Sequence, residues 1–341
     1  MTDSLSKKLQ EEFPDSPEAE CIRFAQAAER AFEFSRKRNK EQLIQQSALQ
    51  NLEHYHDWRS CYGIDFDKVP LVEDDAVVWK WAVEKAIGAA RAKEESQRQL
   101  VEAQTAKSAD EEPALVDYDS FIDDAVKKEE QGKDNEDEAV NSSEAVEKDE
   151  TETTNVHKPI NSLPQIIFKR VDPKTGDLVR DKEGNVMFHV LAARIDRFAA
   201  SNETWALAIS LYLEIHFDRR SKDLFALFID ARAGEGWANP QFLMVVSLTR
   251  AIVHSVATIH PGRWQSIVIF PLPRAVLGIW KTIKGYFHPE IASVMKLVSG
   301  PARLGSRLPK GFLLPFVDDE TLDFLEQCRV ELYDTHVDEI L

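Results

Sequence analysis

The stretch QSIVIFPLPRAVLGIWKTIKGYFHPEIASVMKLVSG, residues 265–300, decides the fold predicted for this chain. Residues 266–270 are an apolar, β-branched run, which predicts a buried strand. The two prolines that follow restrict the backbone to an extended turn. Residues 275–287 then place apolar side chains at three- or four-residue spacing, which predicts an amphipathic helix. The apolar positions of this helix are Val276, Trp280, Ile283 and Phe287.

Strands and helices alternate through the rest of the C-terminal half. Further strands are predicted at residues 163–171, 186–195 and 224–230, and helices at 201–217, 240–259 and 319–332. This alternation predicts right-handed crossovers and a mainly parallel sheet. The run LFALFID at 224–230 agrees, because parallel strands are buried on both faces. The predicted fold class is α/β, with a mainly parallel, mixed sheet flanked by helices.

The N-terminal part reads differently, as a small all-α domain over residues 15–106. Helices are predicted from the capping sequence Ser16-Pro17-Glu18, over 41–59 and over 74–106. Residues 1–14 are predicted to be a flexible N-terminus. The folded C-terminal part is predicted over 159–317, with a C-terminal helix and tail over 318–341.

The acidity of the chain is concentrated in one segment. The net charge is −17, but residues 102–158 carry 19 acidic and 6 basic residues, a net −13. Few aromatic residues and no sustained period predict a disordered acidic linker over 107–158. Residues 118–125, YDSFIDDA, keep some hydrophobicity, and the surrounding segment 110–130 is a candidate site for a protein partner.

Composition and motif searches limit the function. Three distant cysteines fit a reducing compartment, and the absence of a signal peptide or an 18-residue apolar run predicts a cytoplasmic protein with at most peripheral membrane contact. The chain lacks a phosphate-binding glycine loop and a hydrolase serine motif. His54 and His56 lie on different sides of a helix, and Asp230 has no catalytic partner in sequence. We expect no enzyme activity, metal, cofactor or nucleic-acid partner, and a monomer.

Five segments resemble the CRAL-TRIO (Sec14-like) lipid-binding domain, and the match covers about two thirds of the chain. Residues 181–186 resemble its first turn into a strand, and 224–230 its strand ending in aspartate. His260-Pro261-Gly262-Arg263 is similar to its Y-P-E-R motif, and Phe270-Pro271-Leu272-Pro273 replaces its N-A-P. Residues 279–289, IWKTIKGYFHP, resemble its W-K-x-I-K-P-F-L-D-P run. In the N-terminal helices, Arg23-Phe24 and Trp58-Arg59 are similar to motifs of the helical region that precedes this domain.

The resemblance implies a hydrophobic lipid pocket between the sheet and a mobile gate helix at 275–287. Lipid would be bound and transferred or presented between membranes, as in vesicle trafficking. The residues expected at the pocket or gate are Val276, Leu277, Trp280, Ile283, Phe287, Ile209, Leu213, Phe228 and Ile269. Those expected at a lipid headgroup or the membrane are Arg263, Lys281, Lys284 and Lys296.

Departures from the family pattern bear on the ligand. Members that bind phosphatidylinositol use the glutamate of Y-P-E-R, where this chain has Gly262, and a threonine and a lysine where it has Ile291 and Val294. We therefore expect another hydrophobic ligand, such as phosphatidylcholine, a sterol or a tocopherol- or retinoid-like molecule. The alternative is a non-catalytic adaptor whose pocket is filled by side chains and whose acidic insert recruits partners. A small-molecule enzyme on the α/β sheet is the third hypothesis.

Overall fold

The computed structural model describes residues 2–33, 38–64, 74–110, 162–196, 199–234, 242–287, 289–303 and 305–340. Within these residues it has ten α-helices and five strands. The helices are α1 (Thr2–Glu12), α2 (Glu18–Ala31), α3 (Lys40–Cys61), α4 (Asp75–Asp110), α5 (Asn202–His216), α6 (Phe242–Ile259), α7 (Arg274–Ile283), α8 (Pro289–Val294), α9 (Lys310–Leu313) and α10 (Asp319–Ile340). The strands are β1 (Ile167–Lys169), β2 (Val186–Leu191), β3 (Phe225–Asp230), β4 (Trp264–Leu272) and β5 (Met295–Ser299).

The strands form one sheet in the order β1-β2-β3-β4-β5. β2 to β5 are parallel, and β1 alone among the described strands pairs antiparallel with its neighbour. Parallel neighbours need a crossover, and α5, α6 and the pair α7 and α8 supply one each. The predicted α/β fold with a mainly parallel, mixed sheet is confirmed.

The two faces of the sheet pack against different helices. Side chains alternate along a strand, so Phe225 faces α5 and α6, while Ala226 and Phe228 face the opposite way. On that opposite side the sheet is covered by α9 and α10, which contribute Leu313 and Leu322. The result is a sheet buried on both faces.

Several elements end earlier than the sequence pattern predicts. β2 stops at Leu191 and continues as a short 3-10 helix, Ala192–Arg194, although a strand was expected up to residue 195. α7 ends at Ile283 and passes into a 3-10 helix, Lys284–Tyr286. Gly285 lies in this turn, and glycine is a poor residue for continuing an α-helix.

The N-terminal end differs from its prediction, whereas the predicted C-terminal helix is present. Residues 2–12 were expected to be flexible but form α1, because Leu5 and Leu9 lie one turn apart and bury themselves against α2 and α3. Residues 318–341 were expected to be a C-terminal helix and tail. The helix α10 covers Asp319–Ile340, and its Leu322 and Leu325 belong to the buried cluster on the sheet.

The chain divides into two compact units. Residues 1–90 and 160–341 form one unit, and residues 91–159 form the other. α4 continues to Asp110, so the first four positions of the linker predicted at 107–158 are helical. The rest of that linker, including the island at 118–125, lies outside the described residues.

A buried polar cluster joins the N-terminal helices to α5. Glu214 on α5 is 1% exposed and accepts hydrogen bonds from Tyr55 Oη at 2.7 Å and from the Arg59 guanidinium, both on α3. Burial raises the pKa of Glu214 to about 7, and the nearby Arg59 charge opposes that rise. On the other side, the His260 Nδ1 lies 3.4 Å from Glu214 Oε2, and burial lowers the pKa of His260 to about 3. Arg59 is therefore the main positive charge compensating a buried carboxylate.

Replacing Arg59 should destabilise the fold strongly. In Arg59→Met the Glu214 carboxylate stays buried without its cationic partner, which we expect to lower the free energy of unfolding by about 3 kcal/mol. Urea denaturation followed by circular dichroism measures this. Arg38→Met, at an exposed position, serves as control and should change stability by less than about 0.5 kcal/mol. Equal stability of the two variants would contradict this account of the cluster.

Candidate functional site

A cavity of about 250 Å³ lies on the α5 and α6 side of the sheet. Its described lining is apolar except for Thr249, and no charged side chain is among the lining residues that the structure describes. Apolar cavities of this kind stay dry and bind apolar molecules. Pockets for drug-sized ligands span about 300–1,000 Å³, so this volume suits one compact apolar molecule or a single acyl chain.

The floor of the cavity follows from strand alternation. Every second residue of β3, β4 and β5 points to this side. The strand residues that line the cavity are Ile167, Val190, Leu227, Ile229, Ile267, Ile269, Pro271, Leu272, Met295 and Leu297. Nearly all are aliphatic, which explains why the strands read as continuous apolar runs.

The walls come from two crossover helices. α5 contributes Ile209 and Leu213, which are one turn apart. α6 contributes Thr249, Ile252, Val253 and Val256, at helical spacing along one face. The structure thus places the two α5 residues expected from the sequence in the cavity wall, together with Ile269 from the floor.

The remaining wall is the segment that begins after β4. Val276 and Trp280 of α7 line the cavity, as do Phe287 and then Ile291 of α8. The Trp280 and Phe287 ring centroids lie 5.3 Å apart. Phe287 and Ile291 are buried, whereas Trp280 is partly exposed. Three of the expected gate residues therefore share one aromatic-rich wall. The side chain of Ile283 lies outside the described residues.

Two residues expected at the pocket lie elsewhere. Phe228 follows Leu227 on β3 and so faces the other side of the sheet, where its ring packs against Phe270 at 5.5 Å. Leu277 is not among the lining residues, because it lies about 100° around α7 from Val276. Both residues were expected at the pocket because they lie next to cavity residues in an apolar run, and the prediction did not assign each one to a face of its strand or helix.

Arg263 was expected at a headgroup but is 1% exposed and serves the fold. Its guanidinium donates to the carbonyl oxygens of Ser221 at 2.9 Å and Asp223 at 3.0 Å, and also to that of Asp218. It also lies over the Phe217 and Phe225 rings. Burial, and then the charge of Arg23, lower its pKa to about 10. These contacts fix the loop between α5 and β3 and leave Arg263 outside the cavity lining.

The three lysines differ in position. Lys296 is exposed and sits on β5 between Met295 and Leu297, which face the cavity, so Lys296 faces away from it. Lys284 is exposed in the 3-10 turn between Trp280 and Phe287. The side chain of Lys281 lies outside the described residues. Among these lysines, Lys284 has a described position on the outer surface of the cavity wall.

Much of the cavity lining was not identified from the sequence. The lining residues of α6, β2 and β5 could have been identified from the spacing of apolar residues in the sequence. That spacing is three or four residues in the helix and two in the strands. Ile166, just before β1, and Ile167 carried no such pattern, because β1 is short. This segment reaches the cavity through the antiparallel pairing of β1 with β2.

One group of side chains resembles a catalytic triad in composition only. Ser16 Oγ lies 2.6 Å from His56 Nε2, and Glu20 Oε1 lies 3.6 Å from the same nitrogen. A triad needs the serine and the carboxylate on different ring nitrogens.

Among the described residues no group of three or more His, Cys, Asp and Glu side chains could hold a metal ion. No described helix is both long and apolar enough to cross a bilayer.

Comparison with known protein families assigns the part of the chain that holds most of this cavity. Residues 174–313 match the family model of the CRAL/TRIO domain. The resemblance drawn from the motifs is thereby confirmed, and the helices before residue 90 are consistent with it. No curated protein gives a significant match to the chain.

Adjacent residues on β4 should lose different amounts of stability when each is enlarged to phenylalanine. Ile269→Phe extends into the cavity, so we expect a loss of less than about 1 kcal/mol, whereas Val268→Phe overpacks the other core at a cost of about 1–3 kcal/mol. Urea unfolding of both variants measures the difference. A larger loss for Ile269→Phe would show that the cavity side is as tightly packed as the α10 side.

Proposed function

Because residues 174–313 form a CRAL/TRIO domain, a family whose members bind lipid ligands, we propose that this chain takes up one uncharged lipid and transfers or presents it at membranes. The observation that carries the proposal is the apolar cavity between the sheet, α5, α6 and the wall formed by α7 and α8. Burial of hydrocarbon there contributes about 0.8 kcal/mol for each CH₂ group. Binding and release of the lipid need no covalent chemistry.

The charges around the cavity support an uncharged ligand. A phosphoinositide headgroup needs cationic or hydrogen-bonding side chains at the pocket. Here Arg263 binds backbone carbonyls and Lys296 faces away. Gly262 and Ile291 occupy two of the positions that contact inositol in the family. A sterol-, tocopherol- or retinoid-like molecule, or one acyl chain, fits this lining better than phosphatidylinositol.

The wall that contains Trp280 and Phe287 is the proposed gate. α7 is ten residues long, ends in a 3-10 turn, and lies between β4, which ends at Leu272, and α8. Displacing it opens the cavity without breaking the sheet. Its inner face then offers Val276 and Trp280 to the membrane interface, while Lys284 lies on its exposed side. Apolar and basic side chains on one short segment favour contact with an anionic surface.

The adaptor alternative requires a pocket filled by side chains. The cavity of about 250 Å³ argues against a filled pocket. The segment 110–130, which would recruit a protein partner, lies outside the described residues. We retain the ligand-binding role, in a protein without enzyme activity.

Blocking the cavity should abolish ligand uptake. We expect the purified protein to carry a nonpolar lipid, detected by mass spectrometry of extracted protein, and to move labelled lipid between vesicles. Ile229→Trp should fill the cavity and lower ligand occupancy at least about ten-fold, an effect of about 1.4 kcal/mol. Val330→Trp places the same side chain at an exposed position and should bind normally. Equal occupancy of the two variants, or no ligand on the wild type, would refute the proposal.

Reversing the charge of Lys284 should weaken membrane contact. Each basic side chain near an anionic surface contributes about 1 kcal/mol, so Lys284→Glu should weaken binding to phosphatidylserine-containing vesicles roughly ten-fold. Vesicle flotation at low salt measures this. Lys222→Glu makes the same change at an exposed position in the loop between α5 and β3. If both variants lose affinity equally, the net charge of the protein rather than the gate explains binding.

A further inference from the structure

One carboxylate joins the cavity wall to two other parts of the fold. Glu290 is the second residue of α8, next to Ile291, which is 1% exposed and lines the cavity. Its Oε1 accepts a hydrogen bond from the Gly262 backbone N–H at 2.9 Å. The same oxygen lies 3.1 Å from Arg30 Nη1, near the end of α2. One oxygen atom of Glu290 therefore contacts both α2 and the loop before β4.

The loop that presents the Gly262 amide is itself firmly fixed. Gly262 has φ +70°, a left-handed conformation that glycine adopts readily. It precedes the buried Arg263, which binds the loop after α5. The Gly262 N–H is thus a rigid anchor, and Glu290 is the side chain through which α8 reaches it.

The ion pair is placed to act on α8 rather than on the whole fold. The Arg30 side chain is 52% exposed and that of Glu290 is 11% exposed. Exposed ion pairs contribute little free energy and weaken with salt. Such an energy is small beside global stability. It is comparable, however, with the free energy that would change how often a six-residue helix at the edge of a cavity opens.

From these contacts we propose that Glu290 is a positioning residue that holds α8 against the cavity, and that Arg30 uses it to slow ligand release. This inference rests on the ligand-binding function proposed above. When the pair breaks, α8 keeps its Gly262 hydrogen bond but is held less tightly, and Ile291 withdraws more often from the cavity. The N-terminal helices thereby set the residence time of the ligand.

Three variants separate the ion pair from the amide anchor. Arg30→Met removes the cation. Glu290→Gln removes the charge but keeps a side-chain oxygen that can accept from the Gly262 N–H. We expect each single variant, and the double variant, to raise the dissociation rate of diphenylhexatriene, a nonpolar fluorescent hydrocarbon, about two- to five-fold. The double variant should be no faster than the singles, because both remove one interaction.

Salt and controls add a second readout. Raising the salt from 0.05 to 0.5 M, on the order of a threefold shorter screening length, should speed release from the wild type but not from Arg30→Met. Arg38→Met, an exposed arginine, should release the probe at the wild-type rate. Additive effects in the double variant, or unchanged rates in both singles, would overturn the role of the pair.

Amide hydrogen exchange distinguishes failure of the inference from failure of the proposed function. Residues 289–294 should exchange faster in Arg30→Met and Glu290→Gln, with unchanged global unfolding in urea. Faster exchange supports the positioning role even if the protein proves to bind no ligand, a result that would refute only the proposed function. Unchanged exchange in this segment would refute the positioning role, whatever the ligand result.

Discussion

The alternation of side chains across a parallel sheet is the constraint on which the rest of this structure depends. Because successive residues of β3 and β4 point to opposite sides, one run of apolar residues contributes to two hydrophobic cores, one on each face of the sheet. On the side covered by α9 and α10 the strand side chains are buried against Leu313, Leu322 and Leu325. The side covered by α5, α6 and α7 leaves the cavity of about 250 Å³. A shift of one residue in any central strand would exchange the two sets, so the register of the sheet also fixes which side chains line the cavity.

The described charged side chains near the cavity lie around it rather than in its lining. Strand and helix residues around the cavity are almost all apolar, and the charged side chains sit at its margins, where they fasten elements to one another. Glu214 follows the cavity residue Leu213 and binds α3. Glu290 precedes the cavity residue Ile291 and contacts α2. The N-terminal helices therefore meet the cavity walls through carboxylates one residue away from its lining.

The sequence predicted the fold class, most helices and the wall at Val276, Trp280 and Phe287, because long periodic segments and the motif run at 279–289 carry strong local signals. It did not predict which of two adjacent strand residues faces the cavity, as Phe228 shows, because a fully buried strand has no polar face that would indicate its orientation. Nor did it place Arg263, whose role depends on carbonyl groups some 40 to 45 residues earlier in the chain. Such contacts are properties of the folded chain rather than of local pattern.

The larger compact unit is built from two stretches of the chain that lie far apart in sequence. Residues 1–90 and 160–341 belong to one body, although 69 residues separate them in sequence. Their association is maintained by buried contacts such as Arg59 with Glu214 and Trp79 with the Leu163 carbonyl. A covalent connection between two such parts adds loop-closure entropy, which changes slowly with its length. The two parts are thus suited to fragment complementation, in which separately made chains reassemble into one folded unit through these buried contacts.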